Sequence, residues 1–438
     1  MTIAEPCVGA SNSAHAVPHP GSGAGTRPAD GTRPAGRLRL ILVLGGLIAL
    51  GPLSIDLYLP ALPRIALDLH ATDSDIQLTL TGMLLGLGLG QLLVGPLSDA
   101  IGRRKPLVGG TAVHVLASLA CLVAPTVALL DTARVLQGLG ASAGAVLALA
   151  VVRDLFDGRS AATMLSRLIL VLSVSPILAP SLGTALLTAV GWRWLFAVLA
   201  GLGLLVTVFA AVALPETLPA RRRRPLRLRA TAATYAGLLA NPGFLGMVLV
   251  AGLAMAGLFA FVSGAPFVFQ QQYRLDQRQF GLLFSVSVVW MIGATQLNAR
   301  LLRRYEPHQV LVAAGVAAGV AAVALLGAAL TGFGGLAGLL GALWVVLFCT
   351  GLMMPNAPAV ALSAHGEVAG TAAALLGAVQ FGVGALVSPL VGVLGNNAVA
   401  MSAVIAGGLV LAALVLVLLA RPWRLAPASG TPRVVTVH

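Results

Sequence analysis

From about Leu40 onward the chain repeats one pattern, roughly twenty consecutive apolar residues followed by a short polar break. A run that long crosses the about 30 Å hydrocarbon core of a bilayer as a helix. Lipid offers the backbone no hydrogen-bond partner, so only helices and closed barrels cross it, and these runs lack the period-two alternation of barrel strands. Spans are expected near 40–62, 77–97, 106–127, 130–152, 163–188 and 194–214, then near 243–267, 279–300, 308–330, 334–358, 367–391 and 398–420. The fold class this implies is an all-α polytopic membrane protein with twelve transmembrane helices.

Composition agrees. Only 9% of the residues are charged, against about 25% in soluble domains, so lipid has to solvate most of the surface. The formal net charge of +13 does not mark a nucleic-acid partner, because the basic residues sit at the ends of apolar runs and form no continuous patch. Residues 1–36, rich in Ala, Gly, Ser, Pro and Arg, are expected to form a disordered cytoplasmic tail that is not cleaved. Residues 37–214 and 243–420 hold six spans each, as two six-helix bundles. The break at 215–242, with Arg221, Arg222, Arg223, Arg224, Arg227 and Arg229, is a basic linker, and 421–438 is a second tail. The equal split points to a duplicated architecture. Its clearest trace is Arg303 and Arg304 after the eighth span, mirroring Arg103 and Arg104 after the second.

With the N-terminus in the cytoplasm, every Lys and Arg falls on that side except Arg64, Arg193, Arg274, Arg278 and the intramembrane Arg134. That bias predicts both termini inside and assigns the linker arginines to topology and contact with membrane lipids. Cys7, Cys121 and Cys349 and the scattered His show no metal-ligand or disulfide spacing. The absence of a G-x-x-x-x-G-K-S/T loop argues against ATP drive. A membrane enzyme needs paired carboxylates, a His cluster or a nucleophile elbow at one interface, and the sequence offers none of these.

Nearly all acidic residues lie in tails or loops, with Asp131 and Glu367 at span edges. Asp56 alone lies well within an apolar run, SIDLYLPALP. A carboxyl there is costly and usually faces a bundle interior on an ion or proton path, and removal from water favours its neutral form. The alternative is a structural, hydrogen-bonded Asp near the interface. Arg134, one turn inside the fourth span, is expected about 6–9 Å below the same surface as Asp56. An ion pair or relay between them, or snorkelling of Arg134 to water, is open at this stage. Gly82, Gly86 and Gly90 form a smooth stripe on the second span, suited to close helix packing. Pro52, Pro176 and Pro180 interrupt helices, as happens near sites and hinges. Polar or aromatic residues within spans, namely Tyr58, Gln91, Gln137, Phe261, Gln296, Asn356 and Gln380, are cavity candidates. Interhelical hydrogen bonding or packing is the alternative for each.

The loop Gly95-Pro-Leu-Ser-Asp99-Ala-Ile-Gly102-Arg103-Arg104-Lys105 resembles the signature G-x-L-x-D-x-x-G-R of the major facilitator superfamily. Its glycines are expected to permit a tight turn, Asp99 to cap a neighbouring helix, and the basic cluster to hold the loop inside. Leu130-Asp-Thr-Ala-Arg134-Val-Leu-Gln137-Gly-Leu-Gly140 resembles the second motif, L-x-x-x-R-x-x-Q-G-x-G, whose arginine is linked to proton transfer. SIDLYLPALP, GQLLVGPLSDAIGRR, AVVRDLFD, APSLG, GLMMPNAPAVAL and GTAAALLGAVQF are similar to segments of the Bcr/CflA drug-resistance transporters. The resemblance implies two pseudo-symmetric six-helix bundles and drug:proton antiport at the bacterial inner membrane by a monomer without a cofactor, with Asp56 coupling protons to export. It also implies a bend in helix 5, here at Pro176, Pro180 and Gly183. The G-P-x-x-G-G of drug antiporters reads Ala179-Pro-Ser-Leu-Gly183-Thr184, with two glycines replaced. Proton-coupled uptake by the same fold, and a non-transporting sensor, are the rival readings.

Overall fold

The computed structural model describes residues 34–421 except 364, 366 and 367. The expected tails, apart from Pro34, Ala35, Gly36 and Arg421, and the span-edge Glu367, lie outside the described residues.

Each apolar run becomes a helix because nothing else satisfies the backbone there. The first run breaks. α1 (Pro34–Asp56) ends at Asp56, a 3-10 turn follows over Leu59–Ala61, and α2 (Leu62–Asp68) resumes the climb. Then come α3 (Asp73–Ile101), α4 (Arg104–Leu122), α5 (Val127–Leu155), α6 (Gly158–Val190) and α7 (Arg193–Ala213). The linker carries α8 (Leu228–Ala240), thirteen residues long and too short to span. α9 (Pro242–Phe267), α10 (Gln277–Leu301), α11 (Pro307–Thr331), α12 (Gly335–Ser363), α13 (Ala369–Val393) and α14 (Ala398–Val415) follow. Among the described residues, twelve helices, counting α1 with α2, are long and apolar enough to cross a membrane. Side chains close several orphan helix starts. Thr72 and Asp75 form a capping box on α3, Asp276 and Gln279 one on α10, and Asn397 accepts from Ala400 N on α14 at 2.9 Å.

The first span runs from Leu38 to Asp68, six residues past the expected end at residue 62. Asp56 therefore sits twelve residues before its end, about 18 Å along the helix axis at 1.5 Å per residue, rather than one or two turns from the surface. The linker, expected only as a basic break, contains α8, whose Tyr235 hydroxyl donates to Leu92 O at 3.3 Å.

α3, α4 and α5 pack together, α1 lies against α5, α6 and α7, and α4 against α7. In the second half α9 packs on α12, α13 and α14, α11 on α12 and α14, and α10 on α12. The halves meet along α3 with α13 and α6 with α10. We call the side where the described chain starts and ends the terminal face, and the other the opposite face. Among the described residues, the side-chain hydrogen bonds between helices or loops of the two halves gather toward the opposite face. Gln77 donates to Ser263 O and Asn396 Oδ1, Thr81 to Ala385 O, and Gln270 to Pro60 O. Ser285 donates to Ile177 O and meets Ser181 Oγ, and Thr184 donates to Gln277 O.

The glycine stripe of α3 faces α5. A β-carbon at Gly86 would lie 2.0 Å from Val135 O, and one at Gly138, on the other side of the seam, 2.1 Å from Met83 O. Backbone meets backbone, so no side chain can rotate away to make room. Overpacking typically costs 1–3 kcal/mol. Gly86→Leu is therefore expected to lower stability by at least about 2 kcal/mol, seen as a lower thermal midpoint in detergent. Gly109→Leu, with nothing within 4 Å of its β-position, is expected to change little.

Candidate functional site

Arg134, on the second turn of α5, is fully buried. Its Nη1 donates to Ser54 O at 2.8 Å and to Gln137 Oε1 at 2.7 Å, and its Nε to Thr79 O at 3.4 Å. Ser54 O is available because it is one of the last four carbonyls of α1, which have no intrahelical donor. The guanidinium carbon lies 4.6 Å from the centre of the Tyr58 ring, a cation–π contact. The Tyr58 hydroxyl hydrogen-bonds Thr79 Oγ1. One atom is left over, since Arg134 Nη2 is buried with no partner. Snorkelling to water is thereby excluded for Arg134.

Gln137 is held in turn. Its Nε2 donates to Ser118 Oγ at 2.8 Å, Ser118 Oγ donates to His114 O at 2.8 Å, and His114 Nδ1–H donates to Gln137 O at 3.2 Å. Thus α1, α3, α4 and α5 all contribute to one polar centre. Sequence reasoning set aside every His and did not single out Ser118. The i, i+4 pairing of His114 and Ser118 on an otherwise apolar span was the available signal.

Asp56 is the last residue of α1 and is buried. Among the described residues no cation lies within 4 Å of its carboxyl group, so it forms no ion pair with Arg134 here. The two share a neighbourhood nonetheless, because Arg134 binds the carbonyl of Ser54 and stacks on Tyr58, which flank Asp56 on either side. Asp131, one turn before Arg134, is half-buried with Oδ1 unpartnered.

The expected helix-5 bend lies against this break. α6 continues through Pro176 and Pro180. A β-carbon at Gly183 would lie 2.3 Å from Leu57 O, so only glycine lets α6 approach the residue that follows Asp56.

The remaining cavity candidates scatter. Phe261 is buried and stacks on Phe284 with ring centres 5.1 Å apart. Asn356 is buried, donating to Asn298 Oδ1 at 2.7 Å and Leu352 O at 2.8 Å. Gln91 is half-buried against Gly377 of α13, where a β-carbon would lie 3.2 Å from Gln91 Cδ. Gln380 is half-buried on α13 and Gln296 exposed on α10. Tyr58 and Gln137 join the Arg134 centre, while Phe261 and Asn356 are engaged in packing and hydrogen bonding within the second half.

At the terminal face the signature loop is built differently from expectation. Gly95 lies inside α3, and only Gly102, at φ +97°, makes the turn. Asp99 caps no helix. It pairs with Arg103 Nη1 at 2.5 Å, while Arg103 Nε donates to Asp154 Oδ2 at 3.1 Å. Glu216, far along the chain, takes the capping role, accepting from Arg103 N at 2.8 Å and Arg104 N at 3.4 Å as α4 begins. Arg104 Nη2 donates to Ala211 O at 2.5 Å, tying the loop to the end of α7. The Arg224 amide donates to Asp99 O at 2.9 Å, joining the linker to the loop. Asp99 is displaced from capping because the Gly102 turn brings the Arg103 side chain back over it.

Twelve membrane-length helices in two groups, with a polar centre enclosed in the first, define a polytopic helical membrane protein. The sequence matches the profile of the Major Facilitator Superfamily over residues 44–389, and the chain belongs to that family. The uncharacterized MFS-type transporter YdgK of Bacillus subtilis (strain 168) is 40% identical over 370 residues, 84% of this chain and 92% of the relative. A bicyclomycin resistance protein homolog of Haemophilus influenzae is 33% identical over 354 residues, 80% of this chain and 88% of the relative. These relatives bear out the resemblance to the Bcr/CflA group. Among solved structures, the xylose transporter XylE from E. coli, in a partially occluded inward-open conformation, aligns with a TM-score of 0.70 at 15% identity, covering 91% of this chain and 99% of XylE. That likeness is one of fold. Family and fold are those of transporters rather than enzymes.

Glu216 gives the terminal face a pH dependence. Partial burial pushes its carboxyl up, but the amides of Leu218, Arg103 and Arg104 and the Arg223 charge outweigh that and hold it below the usual carboxylate range. Its folded value is depressed, so its stabilising contribution is complete above the unfolded value of about 4.3 and is lost as pH falls through the folded value. The thermal midpoint of the native protein is expected to exceed that of Glu216→Gln by a constant margin above about pH 5. The margin should shrink as the pH is lowered further.

Proposed function

We propose that the protein exports small amphiphilic drugs or metabolites across a bacterial inner membrane in exchange for protons. The observation that carries this reading is the buried carboxyl of Asp56 at a helix break whose Ser54 carbonyl accepts from a buried arginine with one unpartnered nitrogen. The bicyclomycin-resistance relative supports an antibiotic-like cargo. The bias of Lys and Arg toward the terminal face supports placing that face, and both termini, in the cytoplasm.

In this reading the arrangement, cross-linked toward the opposite face, is the one that receives cargo from the cytoplasm. On this reading Asp56 carries its proton in this arrangement, which removes the need for a counter-ion. Loss of its proton creates a charge in lipid-surrounded protein, and the break then moves so that Arg134 Nη2, which has no partner in this arrangement, meets it. Pairing draws the α1 break toward α5 and alters its seat against Gly183 of α6. Because α6 holds the seam with α10, the protonation state of one carboxyl biases which face is open. Protonation from the outside resets the cycle. Each charge crossing the field carries about 2.3 kcal/mol per 100 mV, enough for roughly fifty-fold accumulation. The loop around Asp99, Gly102, Arg103 and Arg104, with Gly95 in the helix before it, steadies the cytoplasmic ends of α3, α4 and α7 during this movement.

A susceptibility panel in an efflux-deficient bacterial host tests the proposal. The intact protein is expected to raise tolerance to a few amphiphilic antibiotics, bicyclomycin among them, and Asp56→Asn to return tolerance to the empty-vector level at equal amounts in the membrane. Equal tolerance in the two strains for every exported drug refutes the coupling role of Asp56. Solute-driven alkalinisation outside during uptake would reverse the direction to symport. Arg134→Lys keeps the charge but loses the planar fork that reaches Ser54 O and Gln137 together, and proton-driven drug efflux from preloaded vesicles is expected to fall at least about ten-fold, the effect of 1.4 kcal/mol.

A further inference from the structure

α10 and α11 are consecutive, yet each packs on α12 rather than on the other. Between them runs a groove of about 610 Å³, floored by Phe348, Cys349 and Leu352 of α12 and walled by Leu301, Ala313 and Ala317. Ala313 and Ala317 are exposed, and their small side chains are what keep the groove open. Along α11 it extends from Gln309 to Ala317, eight residues or about 12 Å of helix. That is less than half of the about 30 Å hydrocarbon core, so the groove opens into one leaflet, the one beneath the terminal face. At its mouth stands Tyr305, 53% exposed, as aromatic side chains do at the membrane interface.

The mouth is also basic. Tyr305 N donates to Leu301 O at 2.9 Å and Arg304 N to the same carbonyl at 2.9 Å. This tight turn places Arg303 and Arg304 between two residues that line the groove. Arg300 lies in the last turn of α10, where the helix end also favours a cation. All three arginines are exposed, and among the described residues none has a carboxylate within 4 Å. The only acidic residue in the turn, Glu306, starts α11 with its main-chain N–H donating to Gln309 Oε1 at 3.0 Å, and its exposed carboxylate lies more than 4 Å from all three arginines.

We propose that this groove binds one acyl chain of an anionic phospholipid, with the phosphate held by Arg300, Arg303 and Arg304. An apolar slot one leaflet deep with a cationic mouth matches that molecule's two halves. The inference does not depend on the transport reading, because lipid retention is measured without any cargo.

The test is native mass spectrometry of the full chain, released from detergent after incubation with phosphatidylglycerol or with phosphatidylcholine of the same acyl chains. Phosphatidylglycerol is expected to be retained in preference. Arg303→Gln with Arg304→Gln should lower its retention about five-fold for each arginine removed, toward the phosphatidylcholine level. Ala317→Trp fills the slot and should lower retention of both lipids, and Ala313→Trp serves if that variant unfolds. Phosphatidylglycerol retention that stays at the native level in the arginine variant, or in a folded slot-filling variant, overturns the proposal.

Discussion

A guanidinium brings five N–H donors and a permanent charge, and Arg134 keeps both inside a helix bundle that lipid surrounds. Removing such a group from water costs several kcal/mol unless its donors are met. Much of the first half follows from meeting them. α1 stops at Asp56, which leaves Ser54 O without an intrahelical donor. α3 offers Thr79 O, and Gln137 is fixed from behind by Ser118. Each acceptor is a neutral dipole rather than a carboxylate, so the positive charge is solvated but not neutralised. A site of that kind favours a negative charge nearby; half-buried Asp131 lies one turn earlier on α5, and Asp56 lies in the adjoining helix break.

Helix packing transmits what happens at that break. Gly183 lets α6 rest on Leu57 O, and a few residues away the same helix joins α10 through Ser181 and Thr184. Few side chains therefore separate the charge centre from the seam between the halves. At the terminal face the loop is anchored by Glu216 and Asp154, which fixes the ends of α4 and α5 relative to α7.

How much of this the sequence disclosed depended on whether the deciding force was local. Span existence was legible because run length in lipid admits one structure. Beyond residue 62 the apolar run of the first span is interrupted by Pro63, Arg64 and Asp68, so its length alone does not show where the helix ends. In the structure Arg64 pairs with Asp68 at 3.2 Å, and Trp192 Nε1 donates to Asp68 at 2.9 Å, so the helix carries Arg64 within it and ends only at Asp68. α8 was masked by its arginine-rich approach. Asp56 and Arg134 stood out because charge in an apolar run is rare. Ser118 and His114 did not, because polar residues of their kind serve many packing roles and only tertiary contacts reveal which ones converge. Glu216 lies 113 residues from the amide that it caps, a separation that no local pattern records. Phe261 and Asn356 were plausible cavity residues by type, but packing turned them into the interior of the second half.

The seam between α6 and α10 and between α3 and its partners has one further property. Among the described residues no ion pair crosses it, although the Asp73 carboxyl faces Gln271 and Asn396 there, and Ser263, Ala385, Pro60, Ile177 and Gln277 contribute only their main-chain carbonyls. Each such bond is worth about 0.5–1.5 kcal/mol net, because water replaces it readily. Parting this face is then a matter of wetting rather than of separating ions. Substitution of the residues that supply those carbonyls leaves the acceptors in place.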